Sequence, residues 1–186
     1  MFRNLDQDKL SSRSQNAEKF FYPGADAACM HKSLIGDPRF QSICPTTVDK
    51  VFLMTGTNNV EKVYFGKNGR HDLHNAQLDI DSLLYYIKTH FYSAKLFVVN
   101  ILPREAKGKN DIIRNINLFI EKLCNQDQHM TFIDTEDGVH LFKDGLGRRR
   151  QNFFVAPTRA ITDNVHMNMQ GVVRLGKHLK FIAHTF

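Results

Sequence analysis

The chain has no tryptophan and only three cysteines, Cys29, Cys44 and Cys124, which are far apart and odd in number. With no Cys-x-x-Cys pair, neither a disulfide framework nor a zinc ribbon is expected, and a reducing compartment fits best. No apolar run approaches the ~20 residues that a membrane helix needs. The opening residues, Met1-Phe2-Arg3-Asn4-Leu5-Asp6, lack the apolar core of a signal peptide. An intracellular protein, cytoplasmic or nuclear, is therefore expected. No repeat, low-complexity tract or linker marks a boundary, so residues 1–186 read as a single domain.

At 186 residues and 42% apolar composition the chain can bury a proper core, and fifteen phenylalanines supply its bulk. The formal charge is +6, concentrated partly in Arg148-Arg149-Arg150. Such an excess permits nucleic-acid contact, although a modest positive balance is more often just a solvated surface.

The stretch that organises the chain is Val51-Phe52-Leu53-Met54-Thr55-Gly56-Thr57-Asn58-Asn59-Val60. An apolar run that breaks into Thr, Gly and two Asn reads as a strand buried on both faces and ended by a turn. In open α/β sheets, ligands sit just beyond the carboxyl ends of such strands. Gly56 permits a tight turn there, and Asn58 and Asn59 offer side-chain N–H donors at the rim.

Further strands are predicted at 18–22, stopped by Pro23-Gly24, at 95–102, closed by Pro103-Arg104, and at 130–134. Asp26 is placed to cap a helix over 27–34. Helical spacing appears over 75–91 (Leu78, Leu83, Leu84, Ile87, Phe91). It appears again over 110–124 (Ile112, Ile113, Ile116, Phe119, Ile120, Leu123) and over 168–182 (Val172, Val173, Leu175, Leu179, Ile182). Residues 61–74 and 135–160 read as surface loops. Strands alternating with helices predict an α/β fold built from βαβ units on a parallel sheet.

Two Asp-x-x-His pairs could supply a general base. In each, the carboxylate would accept the Nδ1 proton and leave Nε2 free. Asp163-x-x-His166 is followed by Asn168, Gly171 and a strong amphipathic helix. Asp137-x-x-His140 runs instead into Gly145, Gly147 and the arginines. His166 is the preferred histidine and His140 the alternative. His71 and His74 have no evident companions, whereas a metal needs three or four ligands, so no metal site is assigned.

Taken together these residues resemble the SGNH hydrolases, also called GDSL-type esterases and lipases. Tyr22-Pro23-Gly24-Ala25 is similar to that family's Gly block, Gly56-Thr57-Asn58-Asn59 to its Gly-x-Asn-Asp block with Asn59 in the Asp place, and Asp163-x-x-His166 to its His block. Ile101-Leu102-Pro103-Arg104 resembles the strand ending of members from mobile-element and viral reading frames. The resemblance spans most of residues 1–182. It implies a flavodoxin-like three-layer α/β/α sandwich, no cofactor, and hydrolysis of an ester or acyl group. His166 would act as base, Asp163 would orient it, and the Gly24 N–H and Asn58 amide would face the oxyanion.

The block that the family writes as Gly-Asp-Ser is absent. Met1 stands where the family chain has just passed its nucleophile, and Ser11, Ser12 and Ser14 lie in the wrong context, so no nucleophile is assigned. The family's first strand, which lies inside its sheet, is missing with it. Unpaired interior backbone groups are costly. The expectation is therefore a fragment of a longer protein or a degenerate relative, unless 181–186 fills the gap. As given, the chain should not turn over esters by the family route. The alternative is a non-catalytic binding module, with nucleic acid as the partner of Arg148, Arg149 and Arg150.

Overall fold

A computed structural model describes residues 17–66, 69–104, 107–136, 141, 167 and 169–185. The chain divides into two compact units, Gly24–Asp134 on the one hand and Met1–Pro23 with Thr135–Phe186 on the other.

In the first unit the order is α1 (Ala27–Gly36), α2 (Pro38–Gln41), a 3-10 turn (Pro45–Thr47), β1 (Lys50–Leu53), α3 (Thr57–Phe65), α4 (Gly69–His90), β2 (Lys95–Val99), α5 (Lys107–Asn125) and β3 (Met130–Ile133). The strands form one sheet in the order β1-β2-β3. Both pairings are parallel, with Phe52 opposite Phe97 and Phe97 opposite Thr131. Parallel neighbours need a crossover, and helices α3 and α4 make the first while α5 makes the second. The fold is an α/β sandwich on a parallel sheet, as the alternation of patterns predicted.

Strand position decides burial. In β2, with a neighbour on each side, Leu96, Phe97, Val98 and Val99 are all buried. In β1 only Leu53 is, and Lys50, Val51 and Phe52 are half-buried. The expectation that this stretch is covered on both faces therefore holds for β2 instead. Among the described residues β1 is an edge strand, and Phe52 gains its cover by stacking on Phe97 at 4.8 Å between centroids.

Three other expectations change. Residues 18–22 carry no strand, although they combine the aromatic and alternating character of one. A strand exists only where a neighbour takes its backbone groups, and the sequence names no neighbour. Of the predicted loop over 61–74, residues 61–65 are instead the end of α3 and 69–74 the start of α4; no apolar stripe in this polar stretch announces them. Phe181 lies in a helix and supplies no strand.

The helices keep their apolar faces with small changes of membership. Ile80, Leu83, Leu84 and Ile87 are buried on α4, whereas Leu78 is exposed. Positions 80, 83, 84 and 87 follow the i, i+3, i+4, i+7 rule, and position 78 falls off that stripe. On α5, Ile113, Ile116, Ile120 and Cys124 are buried. Burial pushes the Cys124 thiol up to about 12. At the start of α1, Asp26 accepts from the Cys29 N–H at 2.8 Å, the cap expected of it.

In the second unit, α6 (Met169–Thr185) buries Val172, Leu175, Leu179 and Ile182 together with Gly171 and Gly176, and exposes Val173. No described helix is long and apolar enough to cross a membrane.

Candidate functional site at the carboxyl rim of the sheet

Beyond β1 the chain must turn at once into α3, and Gly56 makes that turn with φ at +95°. A Cβ at this position would also lie 2.6 Å from Ile101 Cδ1, on a side chain that is itself buried. Backbone angle and close approach thus both require glycine here. Gly24 is a different case. Its φ is +73° but nothing stands within 4 Å of an added Cβ, so only the left-handed backbone calls for glycine.

Residues 24–27 and the first turns of α3 are drawn together by three side chains of α3. The Asn58 Nδ2 donates to the Ala25 carbonyl at 3.0 Å. The Asn59 Oδ1 accepts from the Ala27 N–H at 2.9 Å. Lys62 forms an ion pair with Asp26. The two neighbouring asparagines therefore have opposite roles. Asn58 is half-buried, and one of its two N–H groups is committed, which orients the amide and leaves the second donor without a recorded partner among the described residues. Asn59 is only 1% exposed, acts as an acceptor, and keeps its buried Nδ2 unpaired. The expectation that both asparagines offer donors at the rim does not hold for Asn59, which is buried and engaged through its oxygen. An acceptor is what the first turn of α1 lacks, and Asn59 supplies it.

Charge follows the same contacts. Burial pushes Asp26 up, but the Lys62 ammonium and the Cys29 N–H outweigh it and hold the carboxyl below the usual range. Lys62 is raised by the same partner. Asp79 on α4 is pushed up, first by burial and then by the nearby Asp26 charge.

The segment after β2 is tied to this corner in a way no sequence motif announced. Asn117 accepts from the Ile101 N–H at 2.8 Å and donates to the Ile101 carbonyl at 3.0 Å. Asn110 does the same for Arg104, at 2.8 and 2.7 Å. Two amides seven residues apart on α5 thus act on a non-helical segment as a strand neighbour would. The only sequence signal was that heptad spacing. The buried Arg104 then reaches α3, with its guanidinium 3.2 Å from Glu61 and 3.3 Å from the Thr57 carbonyl. Lys109 joins Glu61 at 2.7 Å. At the next strand end, Asn100 donates to Asp134 at 3.0 Å.

Of the residues assigned from sequence, Gly24 and Asn58 are described and are brought to one corner by the Ala25 contact. Asp163 and His166, the alternatives Asp137 and His140, and Arg148, Arg149 and Arg150 lie outside the described residues, as do Ser11, Ser12 and Ser14. Among the described residues no group of His, Cys, Asp and Glu could hold a metal ion.

Several solved structures share this fold. One described as a candidate platelet activating factor from Streptococcus pneumonia aligns with a TM-score of 0.65 and 18% identity, over 86% of this chain and 68% of that one. The fold is SGNH-like. The OSK domain of Drosophila Oskar aligns with a TM-score of 0.61 and 18% identity, over 85% of this chain and 70% of that one. A second Drosophila Oskar structure, of the CTD, gives 0.53 and 20% over 71% and 60%. No family model matches the chain, and no curated protein matches it. At these identities the likeness is one of SGNH-like fold alone.

Proposed function

We propose that this chain is an SGNH/GDSL-type hydrolase-like domain whose Gly24–Asn58 corner receives the carbonyl oxygen of an ester or acyl group. The observation that carries this reading is the bond from Asn58 to the Ala25 carbonyl. It holds the amide of α3 beside the Gly24 loop with one N–H still to give. The Gly24 N–H likewise has no recorded partner among the described residues. The Gly24 N–H and the second Asn58 N–H would together suit a developing oxyanion, where each donor is worth about 3 kcal/mol of barrier.

In the reaction this reading implies, His166 takes the proton of an attacking hydroxyl and Asp163 holds the imidazole by Nδ1. The hydroxyl is not assigned to any residue of the chain, so the domain as given binds the acyl group and does not turn it over. A non-catalytic binding module is the second reading. The +6 charge and Arg148-Arg149-Arg150 favour nucleic acid as its partner, in which case binding should weaken steeply with salt.

A short-chain carboxylate, such as butyrate, mimics the charged oxygen and tests the corner without catalysis. Titration followed by amide NMR should move the Gly24 N–H and the Asn58 side-chain signals, and Asn58→Ala should abolish the response. Aryl-ester hydrolysis by the chain should be absent. It should appear in a form extended upstream to include a Ser and be lost again with His166→Ala. No movement at Gly24 together with inert extended forms would overturn the hydrolase-like reading.

A further inference from the structure

Charge is divided unevenly along the chain. The unit Gly24–Asp134 holds 13 Lys and Arg against 12 Asp and Glu, which leaves +1. The unit of Met1–Pro23 and Thr135–Phe186 holds 12 against 7, or +5. Nearly the whole positive excess therefore belongs to one unit. An excess of this kind bears on partners and not on the fold.

In that unit α6 carries Arg174, Lys177 and Lys180, and no acidic residue stands anywhere along Met169–Thr185. Lys177 is exposed and Lys180 half-buried. Neither has an ion pair among the described residues, whereas Lys62, Lys88 and Lys109 of the other unit are each held by a carboxylate. Three residues apart on a helix, the two lysines are neighbours, and like charges so placed repel. The helix dipole favours cations only in the last turn, and both lysines precede it. Burial pushes the His178 imidazole below its usual range, so it adds no charge at neutral pH.

An aromatic ring stands among these cations. Phe181 is 67% exposed, one turn beyond Lys177 and next to Lys180. The other side of α6, with Val172, Leu175, Leu179 and Ile182, is buried, so Phe181 does not serve the core.

We propose that the outward face of α6 binds single-stranded nucleic acid, with Lys177 and Lys180 on its phosphates and Phe181 against an unpaired base. The proposal rests on the binding-module reading above and adds to it a described surface. A polyanion relieves the repulsion between the two lysines, which nothing in their own helix does. An exposed ring between cations suits a single strand, whose free bases stack on aromatic side chains. A duplex keeps its base faces stacked and leaves such a ring without a partner. An anionic bilayer calls for a broad free apolar face, and the broad apolar face of α6 is the buried one. Few phosphates are engaged, so binding falls in the non-specific range, with a Kd of about 10⁻⁴–10⁻⁶ M at physiological salt.

Fluorescence anisotropy of a labelled oligouridylate of roughly 12 nucleotides, titrated with the full chain at several salt concentrations, tests the proposal. Binding in that range is expected, with a duplex of the same length bound more weakly. Lys177→Gln with Lys180→Gln should weaken it and reduce the salt slope by about 1.4, at about 0.7 per phosphate. Phe181→Ala should weaken it about tenfold and leave the slope unchanged. Lys122→Gln, which removes an exposed cation of α5 in the other unit, should change neither. Should the double variant fail to fold by circular dichroism, Lys177→Gln alone should reduce the slope by about 0.7. If Arg148→Gln, Arg149→Gln and Arg150→Gln together abolish binding while the α6 variants bind as before, the α6 face is overturned and the nucleic-acid reading stands. If neither single strand nor duplex binds, both fall. Uptake by vesicles of phosphatidylserine and phosphatidylcholine without binding of the oligonucleotide assigns the face to a membrane and overturns the proposal. So does an equal loss with Lys122→Gln, which marks unspecific attraction.

Discussion

Around β2 the unit is held by burial, whereas around residues 24–27 it is held by direction. Phe97, Val98, Ile80, Leu83 and Ile116 are wholly buried and apolar. Their contribution scales with area removed from water and tolerates a change of residue that keeps volume. At the corner, Ala25, Asp26 and Ala27 meet Asn58, Lys62 and Asn59 one to one. Each bond there needs a donor or acceptor at one place, so a volume-matched apolar residue is no substitute. This difference bears on the site proposed above. Groups placed by direction can present a further donor to a ligand, which an apolar contact cannot do.

The largest effect should come from the centre. Phe97→Ala is expected to cost about 3–5 kcal/mol, and Phe97→Leu distinctly less, in denaturant midpoints. Gly56→Ala joins both regions, because it forces a left-handed alanine against Ile101. A loss of about 2–3 kcal/mol is expected in the same measurement. Asn59→Leu keeps the volume but leaves the Ala27 N–H unpaired, at about 1–3 kcal/mol. If Asn59→Leu were as mild as Phe97→Leu, the distinction between the two regions would fail.

Acidity separates them further. Asp26 is depressed in the fold, so its stabilisation is present above the ordinary carboxylate pKa and is lost as pH falls through the depressed value. Lys62 is raised, so its share is complete below the ordinary lysine pKa and is lost as pH rises through the raised value. Thermal midpoints should therefore fall at both extremes and be flat between them, and Lys62→Met should remove the alkaline limb and shrink the acid one, which the Cys29 N–H also supports. Phe97→Leu should shift the whole curve without changing its shape. The smallest effect is expected of Asp79→Asn. The folded form holds the Asp79 proton more tightly than usual, so the acid's contribution is lost as pH rises. The substitution should raise the midpoint slightly at neutral pH and not at acid pH.

Much of this arrangement was legible in the chain. Asp26 before an apolar-periodic run announced the cap of α1, and Gly56, soon after four apolar residues, announced the turn that ends β1. Both are local matters, decided by backbone angles and by orphan N–H groups within a few residues. What sequence reasoning misplaced was relational. Residues 18–22 look like a strand but carry none. Leu78 looks like core, and Ile80 is. The stretch 51–54 has the composition of a central strand but stands at an edge among the described residues.

The sequence by itself determined the alternation of strand and helix, the start of α1, the turn that ends β1, and the residue types at the Gly24–Asn58 corner. These follow from periodicity and from the conformational limits of Gly, Asp and Asn. Only the tertiary structure decided that Asn58 and Asn59 diverge, one a donor at the rim and one a buried acceptor. It alone paired Asn110 and Asn117 with the backbone after β2. The reason is physical. An amide carries both a donor and an acceptor, and which one is used depends on the group the fold places opposite it, here 32 to 33 residues away along the chain.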